Sequence, residues 1–189
     1  MGLDMYLHKR HYVKNWDFMK PEERHEVTVK IGGTPHSTIN PEKVCYVVEE
    51  VGYWRKANAI HKWFVDNVQE GQDDCKEYWV PREKLKELLE LCKKIKESAV
   101  MVDTKIRNGY SFTKTGKKKY NYVNGKALQN SEVAQELLPS QNGFFFGSTD
   151  YDEYYMMDID NTIKILEEEL NIQYPEGFGQ PEYLYQSSW

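Results

Sequence analysis

The sequence predicts an α+β fold, a small mixed or antiparallel sheet packed with three to four helices, in a single domain over 1–189 with a lysine-rich β-hairpin excursion. Three observations lead there. The 189 residues suit one domain with a substantial core. Short stretches near the N-terminus alternate apolar and polar residues, as strands with one buried face do. Longer stretches repeat apolar residues every three or four positions, as core-facing helices do.

Leu3, Met5 and Leu7 alternate with Asp4, Tyr6 and His8, which predicts a strand over Leu3 to Lys9. Glu26 to Ile31 alternates as well, with Val27, Val29 and Ile31 on one side and Gly32-Gly33 closing it. Val44 to Val51 is rich in β-branched residues; it reads as a strand or the lead-in to a helix, and is assigned as strand. Tyr53 to Val68 is predicted helical, because Tyr53, Ala57, Ile60, Phe64 and Val68 fall on one stripe. A second stripe carries Trp54, Asn58, His61 and Val65, flanked by Arg55 and Lys62.

Pro81 to Glu97 is the next helix, with Pro81 suited to its first turn and Leu85, Leu88, Leu89, Cys92 and Ile95 on its buried face. Residues 104–126 form the hairpin, turning at Thr115-Gly116 among Lys114, Lys117, Lys118 and Lys119. Asn130 or Ser131 caps a short helix that Pro139 stops. The last helix opens at Asp150, with Glu153 three residues on, and buries Tyr155, Ile159, Ile163, Leu166 and Leu170. Residues 172–189 read as an irregular aromatic tail with Pro175, Gly177, Gly179 and Pro181 among Tyr174, Phe178, Tyr183, Tyr185 and Trp189.

The 14 tyrosines and 5 tryptophans are many for this length, so part of that surface should recognise something, and a homodimer is compatible with it. The net charge of −5 conceals a separation: residues 93–126 hold ten Lys/Arg against two Asp/Glu, and residues 132–182 hold twelve Asp/Glu against Lys164. Opposite segments of this kind either embrace each other or face different partners. No leader-type or membrane-spanning apolar run is present, and Cys45, Cys75 and Cys92 are odd in number and unclustered, so the expected setting is the cytoplasm with no membrane association.

Two constellations point to chemistry. Arg55, Asn58 and His61 lie along one side of the predicted helix and could grip an anion and move a proton, with Trp54 stacking on the guanidinium. The run Gly143 to Asp152 reads as a buried Phe144-Phe145-Phe146 strand whose end at Ser148 and Thr149 offers backbone N–H groups to an anion; the same residues also cap helices. Asp152 falls in line with the buried stripe of the last helix, which predicts that it pairs with a cation, Arg55 or His61 being the candidates, or faces a cavity. The expected ligand set is therefore Trp54, Arg55, Asn58, His61, Ser148, Thr149, Tyr151 and Asp152, with His61 and Asp152 as the catalytic candidates. No calcium-loop, His-Glu-x-x-His or paired-cysteine pattern occurs, so neither a metal nor another cofactor is expected.

Met-Gly-Leu-Asp-Met-Tyr-Leu at the start, Tyr53 to Val65 and Gly143 to Tyr155 resemble small uncharacterised proteins encoded by bacteriophages and prophages. That resemblance implies no activity, cofactor or catalytic residue. It implies a context, an accessory protein that disables a host component or soaks up a signalling molecule to counter host defence.

These readings rank a binder of an anionic, nucleotide-like small molecule first. An enzyme acting on a phosphate ester with His61 as general acid or base comes second, for want of a nucleophile or metal beside that base. An inhibitor contacting a host protein through the acidic helix or aromatic tail comes third. Nucleic acid held by the hairpin's alternating tyrosines and lysines ranks below these, because the whole chain is acidic.

Overall fold

A computed structural model describes residues 2–174 and 179–189. Strand β1 (Asp4–Tyr12) is preceded by Leu3 and buries Leu3, Met5 and Leu7 completely, while Asp4, Tyr6 and His8 turn toward the opposite, partly exposed face. The minor strands β2 (Lys30–Ile31) and β3 (Thr34–Pro35) pair only with each other around Gly32 and Gly33. The expected strand over Glu26 to Ile31 is thus corrected: only Lys30–Ile31 forms a strand, Val29 adds one backbone bond from His36 N–H at 3.0 Å, and Ile31 is exposed.

Strand β4 (Tyr46–Arg55) runs antiparallel to β1, with a bulge where Leu7 faces Gly52 and His8 faces Glu50. A Cβ on Gly52 would lie 3.0 Å from the side chains of Ile165 and Trp54, so glycine lets the last helix approach the sheet there. Helix α1 (Asn58–Asn67) follows after a two-residue turn. Tyr53, Trp54 and Arg55 therefore belong to a strand, correcting the expected helix start, because their backbone pairs with Asp4, Met5 and Tyr6.

Strand β5 (Tyr78–Val80) leads into α2 (Arg82–Ser98), which buries Leu85, Leu88, Leu89, Cys92 and Ile95 as expected. Burial pushes the Cys92 thiol up to about 12, which keeps it inert. The hairpin strands β6 (Met101–Phe112) and β7 (Lys118–Leu128) form a separate two-stranded sheet, turning at Gly116. Ser131 precedes α3 (Glu132–Leu137), and Asp152 caps α4 (Glu153–Leu170).

Residues Glu182–Ser188 form β8, correcting the expected irregular tail. This strand lies between β1 and β5 in the order β4-β1-β8-β5, antiparallel throughout, and buries Tyr183 and Tyr185. Tyr185 stacks on Phe64 of α1 with ring centroids 3.9 Å apart. The expectation for Pro175, Gly177 and Phe178 falls outside the described residues.

One hydrophobic core joins the Leu3, Met5 and Leu7 face of the sheet to the helices, through Phe64 of α1, Leu88 of α2 and Ile159 and Leu166 of α4, so the fold is α+β. The charge separation is partly neutralised inside the molecule: Lys93 and Lys96 of α2 reach Glu167 and Asp160 of α4 at 2.8 and 2.7 Å. Among the described residues, no helix is long and apolar enough to cross a membrane.

Candidate functional site

A cleft of about 1010 Å³ opens among four parts of the chain. The turn from β4 to α1 supplies Arg55, Lys56 and Asn58; the hairpin supplies Arg107, Tyr110, Lys118 and Tyr120; the loop after α3 supplies Asn142 to Phe145 and Gly147 to Asp150; and the start of α4 supplies Asp152, Tyr154, Tyr155 and Asp158. Its size is in the upper range of small-molecule sites.

The loop owes its shape to Asn58. The Asn58 Nδ2 group donates to the carbonyls of Phe146 (3.0 Å) and Ser148 (2.7 Å), while Oδ1 accepts the Gln141 N–H at 2.8 Å. All of its hydrogen-bonding groups are engaged, so Asn58 organises the wall. The expected Phe144 to Phe146 strand is corrected here. These residues make a tight turn, Phe146 N–H donating to the Gly143 carbonyl at 3.3 Å, with Phe144 exposed and Phe146 buried. Gly147 (φ +88°) comes within contact of Lys56, and a Cβ there would meet the Lys56 Cβ at 3.2 Å.

The hairpin reaches the cleft because its base docks on the entry to α4. Leu128 N–H donates to the Tyr151 carbonyl at 2.9 Å, Lys126 N–H donates to Glu153 Oε2 at 3.0 Å, and Arg107 makes a two-pronged ion pair with Asp150. Asp150 was expected to open α4; that role belongs to Asp152, whose Oδ1 accepts from Tyr154 N and Tyr155 N at 2.9 and 3.3 Å. The Lys118 ammonium lies 4.0 Å from the centre of the Tyr110 ring.

Of the expected ligand set, Arg55, Asn58, Ser148, Thr149 and Asp152 line this cleft, and Tyr151 lines a smaller adjoining one of about 420 Å³. Trp54 does not. It is buried in the core, its indole donating to Thr162 Oγ1 at 2.9 Å, so stacking on Arg55 is excluded. Arg55 instead pairs with Asp4 at 3.3 Å. His61 is also removed from the cleft: it is fully buried, hydrogen-bonded through Nδ1 to the Tyr185 hydroxyl (2.7 Å) and through Nε2 to Asp73 Oδ2 (3.1 Å). Asp73 in turn accepts from the Trp189 indole at 3.1 Å. The expected pairing of Asp152 with Arg55 or His61 is absent among the described residues, because its Oδ1 caps α4 and its Oδ2 is buried without a partner.

No family model, curated protein or solved structure matches this chain.

Residues that the sequence did not assign to the site include Lys56, Arg107, Tyr110, Lys118, Tyr120, Tyr154 and Asp158. Lys56 adopts a left-handed backbone (φ 62°), a conformation that non-glycine residues rarely take and that concentrates at functional positions. Asp158 is partly buried on the cleft wall; burial pushes its carboxyl up to about 7, and the neighbouring Asp152 adds repulsion. The Asp152 carboxyl is likewise raised, chiefly by burial, against two backbone N–H bonds that act the other way. Among the described residues, no group of three or more His, Cys, Asp or Glu is placed to hold a metal ion. Lysine and arginine, aromatic rings, the Asp158 carboxyl and the unpartnered Oδ2 of Asp152 thus share one opening.

Proposed function

We propose that the cleft binds an anionic small molecule of nucleotide type. The observation that carries this reading is the joint lining of the cleft by Lys56 and Lys118 with the rings of Tyr110, Tyr120 and Tyr154. Lys56 makes no ion pair among the described residues, and Lys118 stands over tyrosine rings rather than beside a carboxylate. Such cations attract phosphate, and flat rings stack on a base. A role in soaking up a host signalling nucleotide fits the phage-type resemblance of the sequence.

An enzyme with His61 as its base finds no support in this geometry, since the imidazole is sealed away from the cleft and bonded to Tyr185 and Asp73. Native mass spectrometry of the freshly purified protein against a nucleotide library, followed by titration calorimetry of the compounds retained, tests the reading. The double variant Lys56→Ala/Lys118→Ala should weaken binding of any retained nucleotide by about tenfold or more. Retention of no nucleotide, or an affinity indifferent to both lysines, would overturn it.

A further inference from the structure

We infer that the α4 wall of the cleft selects a base with two adjacent N–H donors, the guanine type, through the carboxylates of Asp152 and Asp158; this deepens the nucleotide reading above and rests on it. Asp152 is 1% exposed and lines the cleft. Its Oδ1 is occupied by the N–H groups that open α4, and its Oδ2 has no hydrogen-bond partner among the described residues. Asp158 lines the same cleft, and its side chain makes neither a hydrogen bond nor an ion pair among the described residues. The guanidinium groups nearby are committed elsewhere, Arg107 to Asp150 and Arg55 to Asp4.

Acceptors left unpaired under cover cost free energy unless something donates to them. Ionised Asp158 presents two oxygens side by side that only accept, so its match is a pair of parallel N–H donors, while Asp152 adds the single acceptor Oδ2. The N1–H and 2-amino group of guanine form that pair. Adenine and cytosine place an acceptor next to their amino group, which would meet a carboxylate oxygen lone pair to lone pair. Lys56 and Lys118 stand on other walls of the cleft, available to a phosphate while the base edge meets α4. The burial that pushes Asp158 up to about 7 is the same lack of solvent that strengthens a donor pair delivered by a ligand.

Calorimetry with GMP, IMP and AMP on the whole protein at pH 7.5 tests this. GMP should bind about tenfold or more tightly than IMP, which keeps N1–H and lacks the 2-amino group, and than AMP. Asp158→Asn and Asp152→Asn should draw the GMP-to-IMP ratio toward one; asparagine preserves the helix cap at 152, so the fold is retained in that variant. Equal affinity of the wild type for GMP and IMP, or a ratio that neither variant moves, overturns the base selection while leaving the nucleotide reading standing. Binding of none of the three overturns the base selection, and the nucleotide reading then stands or falls by the library result.

Discussion

Asn58 holds Ser148 at 2.7 Å, side-chain amide to main-chain carbonyl, across 90 residues of sequence. With its bonds to Phe146 and Gln141, this contact is what fixes the wall of the cleft that the hairpin faces. Asn58→Ala should cost roughly 2 kcal/mol, since one buried and two part-buried backbone groups lose their partner. Asn58→Asp should cost more, because an oxygen would then face two carbonyls. Chemical denaturation measures the first effect, and faster hydrogen exchange over residues 141–148 should accompany it. Unchanged exchange there would mean that the loop is held by something else.

Asp158 sets a pH dependence whose sign follows from its folded value of about 7 against an ordinary 3.8. Between these values the folded chain holds a proton that the unfolded chain has released, so stability falls as pH rises from about 4 to 7. Asp158→Asn removes that slope. It should stabilise the protein on the order of 2 kcal/mol more at pH 8 than at pH 4. Melting curves at the two pH values decide this; an equal gain at both would show the carboxyl to be ordinary.

Lys56 combines a left-handed backbone with a place on the cleft. Lys56→Gly should stabilise the fold by up to about 1 kcal/mol, because glycine takes that conformation without strain. The same change should weaken binding of an anionic ligand. Thermal melts and calorimetry on one preparation check both signs together, and a loss of stability would refute the strain argument.

His61 is structural, and its removal should look so. His61→Ala deletes a fully buried ring packed edge-on to Phe146 and strands the Tyr185 hydroxyl, a loss of roughly 3 kcal/mol. Tyr185→Phe should cost about 1 kcal/mol and leave affinity for a cleft ligand unaltered, since neither residue lines that opening. A Tyr185→Phe protein of normal stability but lost affinity would bring this network back into the function.

The helices with strong internal signals were legible in the sequence. The leucine stripe of α2 and the isoleucine-rich stripe of α4 are buried as their spacing requires. The start of α1 was not, because Ala57 stands at its cap position with no side-chain acceptor, so nothing local separates the strand residues Tyr53 to Arg55 from the helix. Strand β8 was hidden for a different reason: it exists through pairing with β1 some 180 residues earlier, and its Pro/Gly-rich approach reads as coil. Three phenylalanines in a row read as a buried strand, but beyond one bond from Leu3 N–H to the Phe145 carbonyl they join no strand among the described residues, and the chain turns between Gly143 and Gly147. The site was half legible. Arg55, Asn58, Ser148, Thr149 and Asp152 do meet, whereas Lys118 and Tyr110 enter through the docking of the hairpin base, a long-range event that no local pattern announces.

The position of β8 bears on how the chain can be made. While residues 182–188 are still inside the ribosome, β1 and β5 have an empty lane between them, and Phe64 lacks the ring that covers it. Until β8 pairs there, the facing edges of β1 and β5 carry unsatisfied backbone groups. Zipping that seam from the far end of the chain would be the step at which slow translation, chaperone retention or a swapped strand from a neighbouring copy leaves its mark.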